Sequence, residues 1–249
     1  MESFRYLKSI KLIREEVPTF DRYPFTIPSI RTLDELHLDR DVTFIVGENG
    51  MGKSTLLESI AVALGFNPEG GSLNLQFSTY DSHSELDQYL RIVRAPKKPD
   101  DGYFLRAESF YNVATQISKL DEDPFGPPII DSYGGTSLHE QSHGEAFFST
   151  FMNRFHGNGI YILDEPEAAL SPLRQMAMLT RIHELIRQNS QFIIATHSPI
   201  LMAYPSSTII ELCEDGMRKR DLEEVGHYRI MQQFFNDHER MIHHLLKDE

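Results

Sequence analysis

The run Val42-Thr43-Phe44-Ile45-Val46-Gly47-Glu48-Asn49-Gly50-Met51-Gly52-Lys53-Ser54-Thr55 constrains this chain more than any other stretch. A β-branched, apolar segment enters a glycine-rich loop, and the helix-compatible residues Thr55 to Leu64 follow. Gly47, Gly52, Lys53 and Ser54 occupy the fixed places of the pattern G-x-x-x-x-G-K-[ST]. Glycines let the backbone curl so that successive N–H groups point inward, where phosphate oxygens can meet them. Lys53 can reach the β- and γ-phosphates, and the Ser54 hydroxyl can ligate Mg²⁺. A helix starting near Lys53 adds the positive end of its dipole. The candidate phosphate contacts are therefore Gly47, Glu48, Asn49, Gly50, Met51, Gly52, Lys53, Ser54 and Thr55.

A partner site for this loop lies further on. Gly159-Ile160-Tyr161-Ile162-Leu163 reads as a buried strand that ends in Asp164-Glu165. In an α/β sheet, ligands sit at the carboxyl ends of strands. Two carboxylates there can divide two tasks: Asp164 holds the Mg²⁺ hydration shell and Glu165 polarises the attacking water. Gln191-Phe192-Ile193-Ile194-Ala195 is another buried strand, and His197 just after it can act as a neutral donor toward the γ-phosphate or the water. Catalytic candidates are thus Glu165, His197 and Lys53. Arg31, shortly before the loop's strand, is either a guanidinium stacked on adenine or a solvated surface arginine.

Elsewhere the pattern is of strands alternating with helices, which predicts a mainly parallel sheet. Ser9 to Arg14 reads as an edge strand, and Val17 to Ile30, with Pro18, Pro24 and Pro28, as extended or turning chain. Leu90 to Arg94, Tyr103 to Ala107 and Thr208 to Leu212 are further strands, and Tyr111 to Leu120 is helical. Asp121 to Gly135 reads as an exposed loop. Ser142 and Glu145 form an S-x-x-E capping box, which starts a helix. Another helix begins at Pro172, with Met176, Leu179, Ile182 and Ile186 as its apolar face. The tail from His227 to Leu246 reads as a helix anchored by Met231, Phe234 and Phe235.

Length and charge narrow the function classes. The 249 residues suit one α/β domain, or one with an inserted lobe. With 37 acidic and 24 basic side chains the net charge is −13, which disfavours a broad grip on nucleic acid or an anionic membrane. Cys213 is the one cysteine, so no internal disulfide forms, which fits a reducing cytoplasm. The N-terminus lacks the apolar core of a signal peptide, and no stretch is long enough to span a bilayer. Work at a membrane would need another chain to do the spanning.

The phosphate loop, Leu163-Asp164-Glu165-Pro166 and Ala195-Thr196-His197-Ser198, in this order, resemble the ATP-binding-cassette (ABC) ATPase superfamily. Ser142-His143-Gly144-Glu145 is similar to its signature motif, with His143 where the family has glycine, and Glu167 to Ser171 falls at its D-loop. Within that superfamily the chain resembles small stand-alone bacterial ATPases of the soluble RecF-like and SMC-like branch. The resemblance implies an α/β P-loop NTPase fold of the ABC head type, residues 1–249, with a small helical lobe at about 75–155 carrying the signature. It implies ATP and Mg²⁺ as ligands, with metal contacts from Ser54, Asp164 and, at the Q-loop place, Glu108 or its rival Gln76. It further implies a head-to-tail homodimer in which Ser142, Gly144 and Glu145 meet the nucleotide of the opposite copy. The function so implied is a cytoplasmic ATPase switch for an unidentified partner protein. The alternatives are a transporter's nucleotide-binding subunit, a DNA-repair or defence ATPase, and a nucleotide sensor without turnover. A coiled-coil insertion and a basic surface, which would indicate nucleic acid, are not seen in the sequence.

Overall fold

The computed structural model describes residues 5–75, 77, 84–121 and 129–246. Along the chain the elements are β1 (Leu7–Leu12), α1 (Pro28–Arg31), β2 (Glu35–His37), β3 (Val42–Gly47), α2 (Lys53–Leu64), β4 (Gly71–Ser72) and β5 (Leu90–Arg94). Then come β6 (Asp101–Arg106), α3 (Phe110–Asp121), α4 (His143–Arg154), β7 (Gly159–Asp164), α5 (Pro172–Arg187) and β8 (Gln191–Ala195). The chain closes with α6 (Pro199–Met202), β9 (Thr208–Cys213), β10 (Gly216–Arg220), α7 (Gly226–Asn236) and α8 (His238–Leu245).

The main sheet has the strand order β10-β9-β3-β8-β7-β6-β4. Strands β9, β3, β8, β7 and β6 run parallel. Strands buried on both faces read as unbroken apolar runs, and every residue of β3, β7 and β8 is buried. Their two-residue period sorts the side chains between two cores. Phe44, Val46, Leu163 and Ile194 face α3, α4 and α5, where Phe110, Phe147, Phe151 and Ile182 meet them. Ile45, Ile162 and Ile193 face Leu56, Leu57 and Ile60 of α2. Leu7, Ile10 and Leu36 of a smaller antiparallel sheet, ordered β2-β1-β5, complete that second core. No helix among the described residues is long and apolar enough to cross a membrane.

Several local expectations are corrected. The strand at Ser9 to Arg14 is no edge: it is Leu7–Leu12, paired on both sides by β2 and β5. Of the predicted loop at 121–135, the described part holds a 3-10 turn, Ile129–Tyr133, because the Tyr133 ring is buried against the core. The buried face of α5 is Gln175, Met178, Ile182 and Leu185, and Met176 is exposed. Gln175 takes a core place because its amide bonds the Leu170 carbonyl (3.0 Å) and receives the Ser198 hydroxyl. The tail is two helices broken at Asp237, which caps α8 by accepting from Arg240 N–H, and neither helix buries a residue. Val225, ahead of α7, is fully buried, and Tyr228 packs on the first core, so these hold the tail in place of Met231, Phe234 and Phe235. Of the stretch 75–155, the described elements are interleaved with the main body: β5 joins the small sheet, β6 lies in the main sheet, and α3 and α4 share its core.

One buried side chain clasps the two sheets together. Gln191, at the start of β8, accepts from the N–H groups of Tyr6 and Leu7 (both 2.9 Å) and donates to the Leu7 carbonyl (3.0 Å). Leucine there keeps the volume and removes all three bonds, and each buried group so deprived costs about 1–3 kcal/mol. Gln191→Leu should therefore lower unfolding stability by about 3 kcal/mol or more, read as a drop in the urea midpoint.

Candidate functional site

Strand register builds the site. Ile45 pairs with Ala195 across β3 and β8, Ala195 with Asp164 across β8 and β7, and Asp164 with Arg106 across β7 and β6. The carboxyl ends of four neighbouring strands thus present the glycine loop, Thr196-His197, Asp164-Glu165 and Arg106 to Glu108 side by side.

The loop between β3 and α2 is shaped by Gly52, whose φ of 89° is left-handed. A Cβ there would also lie 2.8 Å from Ile27 Cγ2, so the position needs glycine on both counts. The buried Ser29 hydroxyl bonds the Met51 carbonyl (2.7 Å) and steadies the loop from below. Among the described residues no backbone carbonyl accepts from the N–H groups of Asn49, Gly50 or Gly52. Backbone donors at a glycine loop and helix start are the kind of group that can receive an anion. Lys53 is buried, and its ammonium bonds the Gly47 (3.0 Å) and Glu48 (3.2 Å) carbonyls. Burial pushes its pKa down, while Glu165 and Asp164 hold it up.

Ser54 and Asp164 meet directly: Ser54 Oγ lies 3.1 Å from Asp164 Oδ1. Burial pushes the Asp164 carboxyl up to about 6, against the pull of Arg106 and Ser54. Arg106 Nε is 3.4 Å from Asp164 Oδ2, an ion pair without a hydrogen bond. The same guanidinium reaches Glu58 (2.8 Å) and Glu108 (3.0 Å). Ser54, Arg106, Glu108, His143, Asp164 and Glu165 line one cavity of about 300 Å³. Its donors are hard oxygens with an excess of negative charge, which suits Mg²⁺. Among the described residues no cluster of three acidic, histidine or cysteine side chains could cage a metal.

Glu165 is left-handed at φ 49°, a strained conformation for a residue with a Cβ. Its N–H bonds the Ala195 carbonyl (3.0 Å), and Pro166 follows it into a 3-10 turn. The sharp turn leaves the Glu165 carboxylate half-exposed, with Oε1 3.6 Å from His197 Nε2. Glu167 is pushed up by burial, and it clamps the end of β8 by accepting from Thr196 Oγ1 (2.8 Å) and His197 N–H.

At the start of α4, Glu145 Oε2 accepts from Ser142 N–H (3.1 Å) and from Ser142 Oγ (2.6 Å). A Cβ on Gly144 would stand 2.5 Å from the Ala169 carbonyl, so only glycine lets this helix start approach the turn after Glu165. Ser142, Gly144 and Glu145 line neither the cavity above nor the 570 Å³ pocket at the glycine loop. That pocket contains Asn49, Gly50, Gly52, Lys53, Ser54, Thr55 and Glu165, but not Arg31. Arg31 is exposed on α1, and its carbonyl accepts from Arg14. The aromatic group at the pocket is instead Tyr23, 62% exposed, with its hydroxyl 3.2 Å from Thr55 Oγ1. Gln76 lies outside the described residues. Sequence reasoning missed Tyr23, Arg106, Glu167 as a clamp, and His227, which stands 3.1 Å from His197. Only Arg106 carried a signal, as the cation at the end of a strand beside Glu108.

A family model described as "AAA domain" matches residues 27–123, and one described as "AAA ATPase domain" matches residues 135–202. An ABC transporter ATP-binding protein of Caldanaerobacter subterraneus is 25% identical over 77% of this chain and 85% of its own length. The energy-coupling factor transporter ATP-binding protein EcfA2 of Methanospirillum hungatei is 25% identical over 78% of this chain and 51% of its length. This chain spans only 30% of another relative, ABC transporter E family member 1 of Arabidopsis thaliana. Among solved structures, cbiO1 from Clostridium perfringens, part of the ABC transporter complex cbiONQ, shares the fold. Its TM-score is 0.55 at 18% identity, over 97% of this chain and 99% of that one.

The raised carboxyl of Asp164 gives a stability test. Its folded pKa of about 6 exceeds the usual 3.8, so the folded state binds the proton more tightly. The ionised carboxylate is thus a liability that is full above about pH 6 and fades as pH falls from 6 toward 3.8. Without nucleotide or metal, Asp164→Asn should be the more stable protein at pH 8, by on the order of 1–3 kcal/mol. Denaturation midpoints measured from pH 8 to pH 4 should show that advantage shrinking at the acid end.

Proposed function

Taking as premise that this chain is an ABC-type P-loop ATPase, we propose that it binds Mg²⁺-ATP between two head-to-tail copies and hydrolyses it as a switch for a partner protein. The observation that carries this reading is the juxtaposition of Ser54 with Asp164 (3.1 Å) and of Glu165 with His197 (3.6 Å) at neighbouring strand ends. In this reading the loop N–H groups and Lys53 bind the phosphates, and Tyr23 offers its ring to the base. Ser54 and Asp164, with Glu108 at the cavity's rim, would hold Mg²⁺, which when bound would supply charge neutralisation at the phosphates. Glu165 accepts a proton from the attacking water, and His197 donates a hydrogen bond to the γ-phosphate oxygen.

The second copy supplies what one copy lacks. The start of α4, with Ser142 exposed and Gly144 drawn against Ala169, lies outside the loop pocket of its own chain. A two-fold partner can set that helix N-terminus on the open side of the nucleotide, in an interface that is the same on both copies. ATP then acts as the adhesive, and its hydrolysis releases the pair. A second reading, a nucleotide-binding subunit of a membrane transporter, is supported by the names of the relatives.

Light scattering with Mg²⁺-ATP, with phosphate release measured in parallel, tests the reading. Glu165→Gln should hold a stable ATP-bound dimer and lose at least about 100-fold in turnover, the scale of a missing general base. Wild type should dimerise only transiently. Wild type and variant that both stay monomeric while ATP still turns over would rule out the shared site.

A further inference from the structure

Resting on the ATPase reading above for its kinetic consequence, we propose that His227 of the C-terminal helix α7 is a positioning residue. It holds His197 in the tautomer whose Nε2–H faces the γ-phosphate site.

His227 Nε2 lies 3.1 Å from His197 Nδ1, with the rings edge to face at 80° and their centres 4.7 Å apart. Two imidazole nitrogens at this distance share one hydrogen, and if His227 donates it, the hydrogen of a neutral His197 sits on its far nitrogen. If His197 Nδ1 donated, its Nε2 would carry a bare lone pair 3.6 Å from the Glu165 carboxylate oxygen, two electron-rich atoms facing each other. If His227 Nε2 donates, His197 Nε2 carries the hydrogen and meets that carboxylate favourably. Glu48 of the phosphate loop adds a weaker attraction in the same sense, since its Oε1 is 3.9 Å from His227 Nε2. Burial, Lys53 and His227 all hold His197 below the usual imidazole pKa, which keeps the ring neutral with a single N–H.

The freed donor has a destination. His197 Nε2 is buried and has no hydrogen-bond partner among the described residues. A buried donor left unsatisfied costs about 1–3 kcal/mol, so it is well placed to gain from an anionic oxygen entering beside it. The clamp of Glu167 on His197 N–H fixes the backbone, and His227 fixes the ring. Helix α7 buries none of its own residues, so its first turn is tied into the body through Val225, Tyr228 and this histidine contact.

The test uses the full chain labelled with ¹⁵N. Long-range proton–nitrogen correlation spectra report the His197 tautomer in the nucleotide-free protein, with His197→Asn assigning the signals. Wild type should show the Nε2–H form. His227→Phe keeps a ring and removes the donor, so His197 should become a mixture of tautomers. His227→Gln, whose amide N–H can stand close to the lost Nε2, should restore the wild-type pattern. In ATP turnover, His227→Phe should lower kcat about tenfold with KM within twofold, and His227→Gln should recover most of the loss. A wild-type His197 in the Nδ1–H form, or an unchanged tautomer in His227→Phe, would overturn the assignment. So would equal kcat losses in the phenylalanine and glutamine variants, the mark of a purely structural strap. The expected tautomers in a protein that turns over no ATP would uphold the positioning of His197 and sink the hydrolytic reading instead.

Discussion

The site is organised by a carboxylate forced into the protein interior. Asp164 sits almost wholly buried at the end of β7, where burial lifts its pKa to about 6. An isolated buried charge is costly, and the neighbourhood answers it with the Ser54 hydroxyl and the Arg106 guanidinium. In the proposed reading these are the partners that Asp164 exchanges for a divalent cation. The Arg106 cation, shared among Asp164, Glu58 and Glu108, stands where positive charge is wanted in the free protein.

Everything around that carboxylate serves to fix strand ends. Two apolar cores, sorted by the alternation of side chains along β3, β7 and β8, hold the sheet from both faces. Gln191 ties the small sheet to it, and Glu167 pins the end of β8. Rigid strands then carry short, strained or glycine-shaped connections, seen in the left-handed Glu165 and in Gly52. Strain of this kind persists only where the surroundings over-determine it.

Much of this was legible in the sequence because it is local. The phosphate loop needs glycines, lysine and serine at fixed spacing, and buried parallel strands are apolar without interruption, so β3, β7 and β8 and the polar groups at their ends could be read directly. The capping pair Ser142 and Glu145 was likewise a four-residue signal. What failed was long-range. The buried face of α5 turned on Gln175 finding partners at Leu170 and Ser198, which no periodicity shows. The tail reads as a helix anchored by Met231, Phe234 and Phe235 because these are apolar, yet Phe235 is 71% exposed, and it is His227 that lies against His197. Tyr23 reaches Thr55 only through the fold of the intervening chain, while Arg31, closer in sequence and readable either as a base contact or as a surface arginine, is exposed outside the loop pocket.

The most direct measurement is a crystal structure of Glu165→Gln grown with Mg²⁺ and ATP. The account predicts phosphates in the loop from Gly47 to Ser54, the metal on Ser54 and Asp164, and Ser142 of a second copy against the same nucleotide. A nucleotide bound away from Asp164, or enclosed by one copy with Ser142 remote from it, would contradict the account.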